Sequence, residues 1–201
     1  MPSRSRTVRE IEIKLRVREI EGLIRKLRRL RCRCAGRVLE RNTLFDTPDA
    51  DLRHRGCLLR VRIETPAPSK HVPGGLRRTV ITSKNPAPAS VRSRYKVKLE
   101  RELAVRSPRG WTAILRSLGF RTAFSYEKYR TTFRLPGLHV DLDETPVGVF
   151  LELEGPPEAI DRVAKKLGFS RHDYYRGTYW DLFAAECRRR GRPLRNMLFA
   201  A

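Results

Sequence analysis

The chain has 201 residues, of which 40% are hydrophobic and 33% charged, so it is long enough to bury a core and has the composition of a soluble globular protein. Its 44 Lys and Arg residues against 22 Asp and Glu residues give a net charge of +22, which indicates an anionic ligand and favours non-specific contact of the basic surface with nucleic acid or polyphosphate. No apolar run approaches the roughly 20 residues of a membrane span, and the start is basic and polar, so we expect a cytoplasmic protein with no membrane partner.

The first predicted strand carries an alternating charged face. Glu10, Glu12 and Lys14 alternate with Ile11 and Ile13, which is the period-2 pattern of a strand. Side chains two residues apart lie on one face of a strand, roughly 7 Å apart, so the carboxylates could hold a hard cation while the ammonium group faces an anion. A strand with one solvent-exposed face shows the same pattern. The functional interpretation therefore depends on recurrence of the pattern in later strands.

The other elements follow in chain order. Apolar residues at helical spacing predict helices over residues 19–30, 108–118, 156–167 and 174–190. Alternating runs predict strands over residues 37–45, 58–64, 77–84, 95–105, 121–135, 138–142 and 149–154. Gly119 and Gly168 are expected to end two helices in a left-handed conformation. The arginine-rich residues 191–201 are predicted to form a mobile basic tail.

Ionisable pairs on one face recur in nearly every predicted strand. Later members are Arg60 and Arg62, Lys96 to Glu102 at alternate positions, Lys128 and Arg130, Asp141 and Asp143, and Glu152 and Glu154. Some pairs are acidic and others basic, and solubility does not require this segregation of sign by strand. A shared interior lined with charge would require it.

The predicted fold class is α+β, with an eight-stranded antiparallel β-barrel, closed or nearly closed, and amphipathic helices packed outside. Eight strands enclose an interior large enough for side chains or one small ligand. The helices need the aliphatic face of the sheet, so the charged face should point into the barrel. We expect one domain over residues 1–190, built of two loosely repeated halves at about 8–90 and 91–190.

The four cysteines, at positions 32, 34, 57 and 187, form no C-x-x-C pair and no zinc-ligand spacing with histidine. Cys32 and Cys34 are placed near the end of the first predicted helix. We interpret all four as reduced thiols and predict no zinc site.

The ordered motifs resemble those of the CYTH superfamily of triphosphate tunnel metalloenzymes, which includes class IV adenylyl cyclases, thiamine triphosphatases and inorganic triphosphatases. The opening E-x-E-x-K at residues 10–14 resembles the family signature, and the similarity extends over roughly residues 8–183. Further matches are F-D-T at 45–47, L-R-V-R at 59–62, T-S-K-N-P at 82–86, K-L-E at 98–100, K-Y-R at 128–130, L-D at 142–143 and G-V-F-L-E-L-E at 148–154.

The resemblance implies a division of roles among the charged residues. Carboxylates would bind Mg²⁺ or Mn²⁺, which prefer oxygen ligands; these are Glu10, Glu12, Asp143, Glu152 and Glu154. Cations would grip the phosphate chain; these are Lys14, Arg60, Arg62, Lys84, Lys98, Lys128 and Arg130. Lys84 and Glu100 are the candidate catalytic residues. Glu100 could orient a cation, accept a proton or pair with Lys98, and these alternatives stay open.

The sequence departs from the family pattern in places. Lys98 stands where the family has arginine, and Asn85 where it has glycine. Arg176-Gly177-Thr178-Tyr179 stands where a K-S-Y-like segment is common, so a substrate contact from this segment would fall to Arg176.

Three functions are compatible with these residues. The leading candidate is metal-dependent hydrolysis of an organic or inorganic triphosphate, such as tripolyphosphate or thiamine triphosphate. A class IV adenylyl cyclase, which converts ATP to cyclic AMP and pyrophosphate, would use the same charged residues. A non-catalytic protein that binds polyphosphate or RNA is the third. The choice between Mg²⁺ and Mn²⁺, a homodimeric state and the openness of the barrel ends are left open.

Overall fold

The computed structural model describes residues 7–70, 72–88 and 94–200. In chain order the elements are β1 (Val8–Val17), α1 (Ile20–Arg29), β2 (Arg33–Asp46), α2 (Asp51–His54), β3 (Leu58–Pro66), β4 (Arg78–Pro86), β5 (Lys96–Val105), α3 (Pro108–Ser117), β6 (Arg121–Leu135), β7 (Leu138–Thr145), β8 (Gly148–Glu154), α4 (Pro157–Leu167), a 3₁₀ turn (Arg171–Asp173) and α5 (Tyr179–Arg189). Within these residues, no helix is long and apolar enough to cross a membrane.

The eight strands form a closed antiparallel barrel in the order β1-β5-β4-β3-β2-β6-β7-β8, and β8 pairs back to β1. This confirms the predicted fold class. Closure gives each strand a neighbour on both sides, with one face toward the interior and one toward the outside. The position of each side chain in the barrel therefore follows from the parity of its residue number along the strand.

The outer face of the barrel is aliphatic and is covered by helices, as predicted. Ile13, Leu151 and Leu153 are fully buried against α1 and α4, which contribute Leu27 and Ile160 to the same cluster. A smaller cluster packs α3 on β3 around Val61 and Leu115. Because the helices occupy the aliphatic face, the charged face can only point inward.

The helix predicted over residues 174–190 begins later than expected. Tyr175 instead pairs with Lys14 of β1 through two backbone hydrogen bonds of 3.0 and 2.9 Å. Helix α5 starts at Tyr179 because Thr178 and Asp181 form a capping box, in which each side chain accepts from the backbone amide of the other. The helix end predictions at Gly119 and Gly168 are confirmed, with φ of 88° and 93°. Cys34 lies in β2, not at the end of α1.

The prediction of a mobile C-terminal tail is wrong. Strand β7 pairs with β6 only from Tyr129 onward, and the C-terminal segment occupies the part of β6 that β7 leaves unpaired. Met197 donates its amide to the carbonyl of Ser125 at 3.0 Å and accepts from the amide of Glu127 at 2.9 Å. Its side chain is fully buried in an aromatic cluster with Tyr126 and Tyr179.

We expect Met197→Ala to lower the free energy of unfolding by about 3 kcal/mol, because truncating a fully buried Met leaves a cavity. Equilibrium urea denaturation measures the change. The matched control is Leu198→Ala, since the neighbouring side chain is 48% exposed and its truncation should change stability by less than about 0.5 kcal/mol. Equal effects of the two substitutions would contradict the packed position of the tail.

Candidate active site

The inward faces of the strands enclose a cavity of about 500 Å³. Its lining includes most of the predicted site residues: Glu10, Glu12, Lys14, Arg60, Arg62, Lys84, Glu100, Lys128, Arg130, Glu152 and Glu154. Both signs of charge are therefore concentrated in one enclosed space. Such a concentration is stable only where each charge has a partner, and the partners fall into three groups.

The first group joins β1, β4 and β5. Lys84 Nζ donates to both carboxylate oxygens of Glu10, at 2.6 and 2.7 Å, and lies 3.1 Å from Glu100. Burial disfavours the charge of Lys84, but Glu10, Glu12 and Glu100 together outweigh this effect and raise the pKa of the lysine. Lys84 therefore stays protonated at neutral pH and can neutralise phosphate charge. Glu100 pairs with Lys84 in this structure.

The second group lies deeper, where β1 and β8 adjoin. Lys14 Nζ donates to Glu12 at 2.9 Å and lies 3.1 Å from Glu152, and Lys96 donates to Glu12 at 2.7 Å. Burial by itself would raise the pKa of Glu12, but Lys14 and Lys96 hold it well below its usual value. Glu12 is therefore ionised at neutral pH despite being buried.

The third group surrounds Asp143 on β7. Its carboxylate accepts from Lys128 at 2.7 Å, from Arg130 at 2.7 and 2.6 Å, and from the Tyr179 hydroxyl at 2.6 Å. Arg130 also donates to Glu152. The structure buries Asp143 completely and does not bring it to the cavity lining formed by the described residues. Asp143 is therefore placed to orient Lys128 and Arg130.

Glu40 of β2 links this group to the arginines of β3. Its carboxylate lies 3.6 Å from Lys128, 3.6 Å from Arg130 and 3.5 Å from Arg62, and only 1% of the residue is exposed. Arg62 also donates to Glu102 at 3.1 Å. Three cations on two strands, β3 and β6, are thus held around one buried carboxylate.

Two predicted residues lie away from the cavity. The Nζ of Lys98 donates to the carbonyl of Gly56 at 2.8 Å. Arg176 is exposed in the extended segment before α5. Neither is among the described residues that line the cavity.

The predicted site omits four residues that the structure places at its centre. Lys96 and Glu102 belong to the alternating charges of β5, so its periodicity could have identified them, whereas Glu40 stands between the uncharged Val38 and Asn42 on its face of β2. Tyr179 could not have been found in this way because it comes from α5. Its ring lies 5.4 Å from Lys14 Nζ and 4.9 Å from Lys128 Nζ, so it closes the inner end of the cavity.

The carboxylates form no preformed metal cage. No group of three or more His, Cys, Asp or Glu side chains is arranged to hold a metal among the described residues. Magnesium is commonly bound by one or two carboxylates together with substrate phosphates, and Glu154 fits such a role. It lines the cavity and faces Glu12 across the β1–β8 pair, and burial followed by repulsion from Glu10 raises its pKa to about 8.

The raised pKa of Glu154 predicts a pH-dependent stability. The folded metal-free protein holds the Glu154 proton more tightly than the unfolded chain, so wild type loses stability as pH rises from 4.5 to about 8. Glu154→Gln should remove this loss and increase the free energy of unfolding by ~2 kcal/mol at pH 8, after allowance for partial exposure of the side chain. Urea denaturation of wild type and variant in EDTA at pH 5 and pH 8 measures both free energies of unfolding. Identical pH dependence of variant and wild type would contradict the shift.

A closed antiparallel barrel with a charged interior and helices outside defines a tunnel-type β-barrel protein. The chain belongs to the CYTH family, because the CYTH domain matches residues 8–179. No curated protein gives a significant match.

Solved structures of low sequence identity share the fold. A protein from Pyrococcus horikoshii is 22% identical, with a TM-score of 0.72 over 88% of this chain and 99% of that chain. A candidate adenylate cyclase from Vibrio parahaemolyticus is 18% identical, with a TM-score of 0.71 over 87% and 97%. A candidate adenylyl cyclase from Hippeastrum with a dominant triphosphatase activity is 20% identical, with a TM-score of 0.56 over 92% and 97%.

Proposed function

We propose that this protein is a divalent-metal-dependent triphosphatase that hydrolyses an inorganic or small organic triphosphate in the barrel cavity. The observation that carries the proposal is the cavity lining, in which cations from five strands face carboxylates of β1 and β8. A linear triphosphate supplies the negative charge that these cations need when a metal ion engages the carboxylates. Membership of the CYTH family supports the same reaction class.

The cations form the proposed phosphate grip. Arg60 and Arg62 present planar guanidinium groups able to bind two phosphate oxygens at once, while Lys14, Lys84 and Lys128 act as point charges. All five are at least largely buried, so their interaction with phosphate is poorly screened by solvent. Asp143 and Glu40 keep these groups in place and do not contact the substrate in this proposal.

The carboxylates of β1 and β8 form the proposed metal side, with Glu10, Glu12, Glu152 and Glu154 as the oxygen donors. Bound Mg²⁺ or Mn²⁺ would neutralise charge on the phosphoryl oxygens and polarise the phosphorus. Glu100, held by Lys84 at 3.1 Å, is the proposed acceptor for the proton of the attacking water. The water oxygen bonds to the terminal phosphorus while the bond to the bridging oxygen breaks, and the leaving diphosphate stays bound to the arginines.

The lining favours hydrolysis over cyclisation of ATP. An adenine ring needs a surface on which to stack, and both tyrosines of the described lining are already engaged. Tyr126 packs on Phe124 at 5.8 Å between ring centroids and accepts from Arg60, and Tyr179 donates to Asp143. The Hippeastrum relative named above also has triphosphatase activity as its dominant one.

Product analysis tests the proposal. Purified protein with Mg²⁺ or Mn²⁺ is incubated separately with tripolyphosphate, thiamine triphosphate and ATP, and Glu12→Gln serves as the inactive variant. Phosphate release from tripolyphosphate or thiamine triphosphate that is lost in the variant is expected. Cyclic AMP with pyrophosphate from ATP would show a cyclase instead. Binding without any product would show a polyphosphate-binding protein.

A further inference from the structure

The open end of the cavity carries a row of basic side chains that the proposed reaction does not use. Arg33 of β2 lies directly opposite Arg134 of β6, and Arg134 lies directly opposite His139 of β7. Residues opposite each other in antiparallel strands share one face of the sheet. All three are exposed, and Arg134 and His139 line the mouth of the cavity.

Arg33 and Arg134 lack the carboxylate partners that the interior cations have, while His139 lies opposite Glu154 of β8. Arg62 and Arg78 share Glu64 at 3.0 and 2.6 Å, and Arg130 holds Asp141 at 3.0 Å. In the described part of the chain, no ion pair forms to Arg33, Arg134 or His139. Like charges directly opposite one another in a sheet are destabilising. Two guanidinium groups placed together without a counter-ion are therefore suited to binding an anion.

The backbone at the mouth holds this row in place. Strand β2 has a bulge between Cys34 and Gly36, which offsets Arg33 from the regular ladder. Gly36 has a φ of 133°, and a Cβ there would lie 2.9 Å from Gly75 Cα. Gly75 donates its amide to the Arg37 carbonyl at 2.8 Å, so the loop after β3 packs against this bulge. The rim is a packed part of the fold.

We propose that Arg33, Arg134 and His139 form an outer anion subsite, which binds the phosphates of a linear polyphosphate that extend beyond the three held inside. This inference rests on the proposed function and specifies its substrate class. Lys128 and Arg134 are six residues apart on β6, which corresponds to about 20 Å along the strand. That Cα separation exceeds the length of three phosphoryl groups, so a longer phosphate chain is better suited than a triphosphate to contact both Lys128 and Arg134.

The chemistry of the rim favours phosphate over a nucleobase. Guanidinium groups bind phosphate oxygens in pairs, whereas a base needs an aromatic ring for stacking. Among the described residues that line the cavity, the aromatic ones are Tyr126 and Tyr179, which pack on each other and bond to Arg60 and Asp143. The extension of the substrate is thus a phosphate chain.

Arg33→Gln and Arg134→Gln, alone and combined, test the subsite. The measured quantity is the ratio of kcat/KM for long-chain linear polyphosphate to kcat/KM for tripolyphosphate, at fixed ionic strength with Mg²⁺. Each substitution should lower this ratio about tenfold, the size expected for losing one charge-assisted contact. The control is Arg121→Gln, an exposed arginine at the other end of β6, which should leave the ratio unchanged.

Binding measured separately keeps this test independent of turnover. Long-chain linear polyphosphate and tripolyphosphate are each titrated into every variant in the presence of Ca²⁺. The ratio of the two dissociation constants is then compared with the ratio for wild type. Loss of long-chain preference with retained tripolyphosphate binding supports the outer subsite, even if no substrate is hydrolysed and the proposed function fails. An unchanged ratio, or an equal loss for both ligands, overturns it.

Discussion

Glu40→Gln is expected to lower the free energy of unfolding by about 4 kcal/mol, because it leaves buried cations without their shared carboxylate. Lys128, Arg130 and Arg62 all lie within 3.6 Å of Glu40, which is 1% exposed. Burial alone would raise the pKa of Glu40, but these cations hold it well below its usual value. Its stabilising effect is therefore fully present at neutral pH and is lost progressively as pH falls below about 4.5.

The outer face of the same two strands supplies a matched control. Arg41 of β2 donates to Glu127 of β6 at 2.9 Å, and 61% of the arginine side chain is exposed. Because the arginine is the exposed partner of the pair, Arg41→Gln should cost less than about 1 kcal/mol. Urea denaturation at pH 7 measures both variants. A cost of Glu40→Gln similar to that of the control would show that the interior cations do not depend on Glu40.

Glu40 also bears on ligand binding. In the free protein the interior cations are already compensated by carboxylates, so phosphate must compete with Glu40 and Asp143 for them. Removing the charge of Glu40 should therefore make added tripolyphosphate stabilise the variant more than wild type, by the linkage between binding and folding. A larger stabilisation of the variant by tripolyphosphate would show that its binding site is intact although its fold is less stable.

The strands and most of the site could be predicted from the sequence because one physical pattern encodes both. Alternation with period 2 identifies a strand, and in a barrel it also assigns each side chain to the inside or the outside. Glu12, Arg60 and Lys128 were predicted to share an interior for this reason, and all three line the cavity. Local pattern and global fold agree at these positions, as expected for a consistent sequence.

The sequence could not supply the tertiary contacts of each side chain. Lys96 and Lys98 have the same parity in β5 and lie opposite Glu12 and Glu10 of β1, which both line the cavity, but only Lys96 is part of the lining. The Nζ of Lys98 instead donates to the carbonyl of Gly56, a contact between distant parts of the chain that spacing within one strand does not encode. Tyr179 and Met197 were missed for a related reason, since neither belongs to a strand of the barrel and both are placed by packing at its inner end.

Glu12→Gln is expected to lower kcat/KM for tripolyphosphate about 10³-fold, which corresponds to ~4 kcal/mol of lost transition-state stabilisation. Under the proposed function, Glu12 is the buried, ionised carboxylate closest to both Lys14 and Lys96, at 2.9 and 2.7 Å. The neutral amide cannot supply the negative charge that a divalent cation needs. Steady-state phosphate release measures the loss, and Mn²⁺ binding followed by electron paramagnetic resonance should weaken in parallel.

The variant should nevertheless fold, which makes the result interpretable. Lys14 keeps Glu152 at 3.1 Å, and burial followed by the neighbouring Lys14 already lowers the pKa of Lys96, so Lys96 can lose its proton when Glu12 no longer pairs with it. Glu144→Gln on the outer face, where Glu144 pairs with Arg37 at 3.0 Å, is the matched control and should retain full activity. Full activity of a folded Glu12→Gln protein would contradict the proposed role of Glu12 as a metal ligand in the reaction.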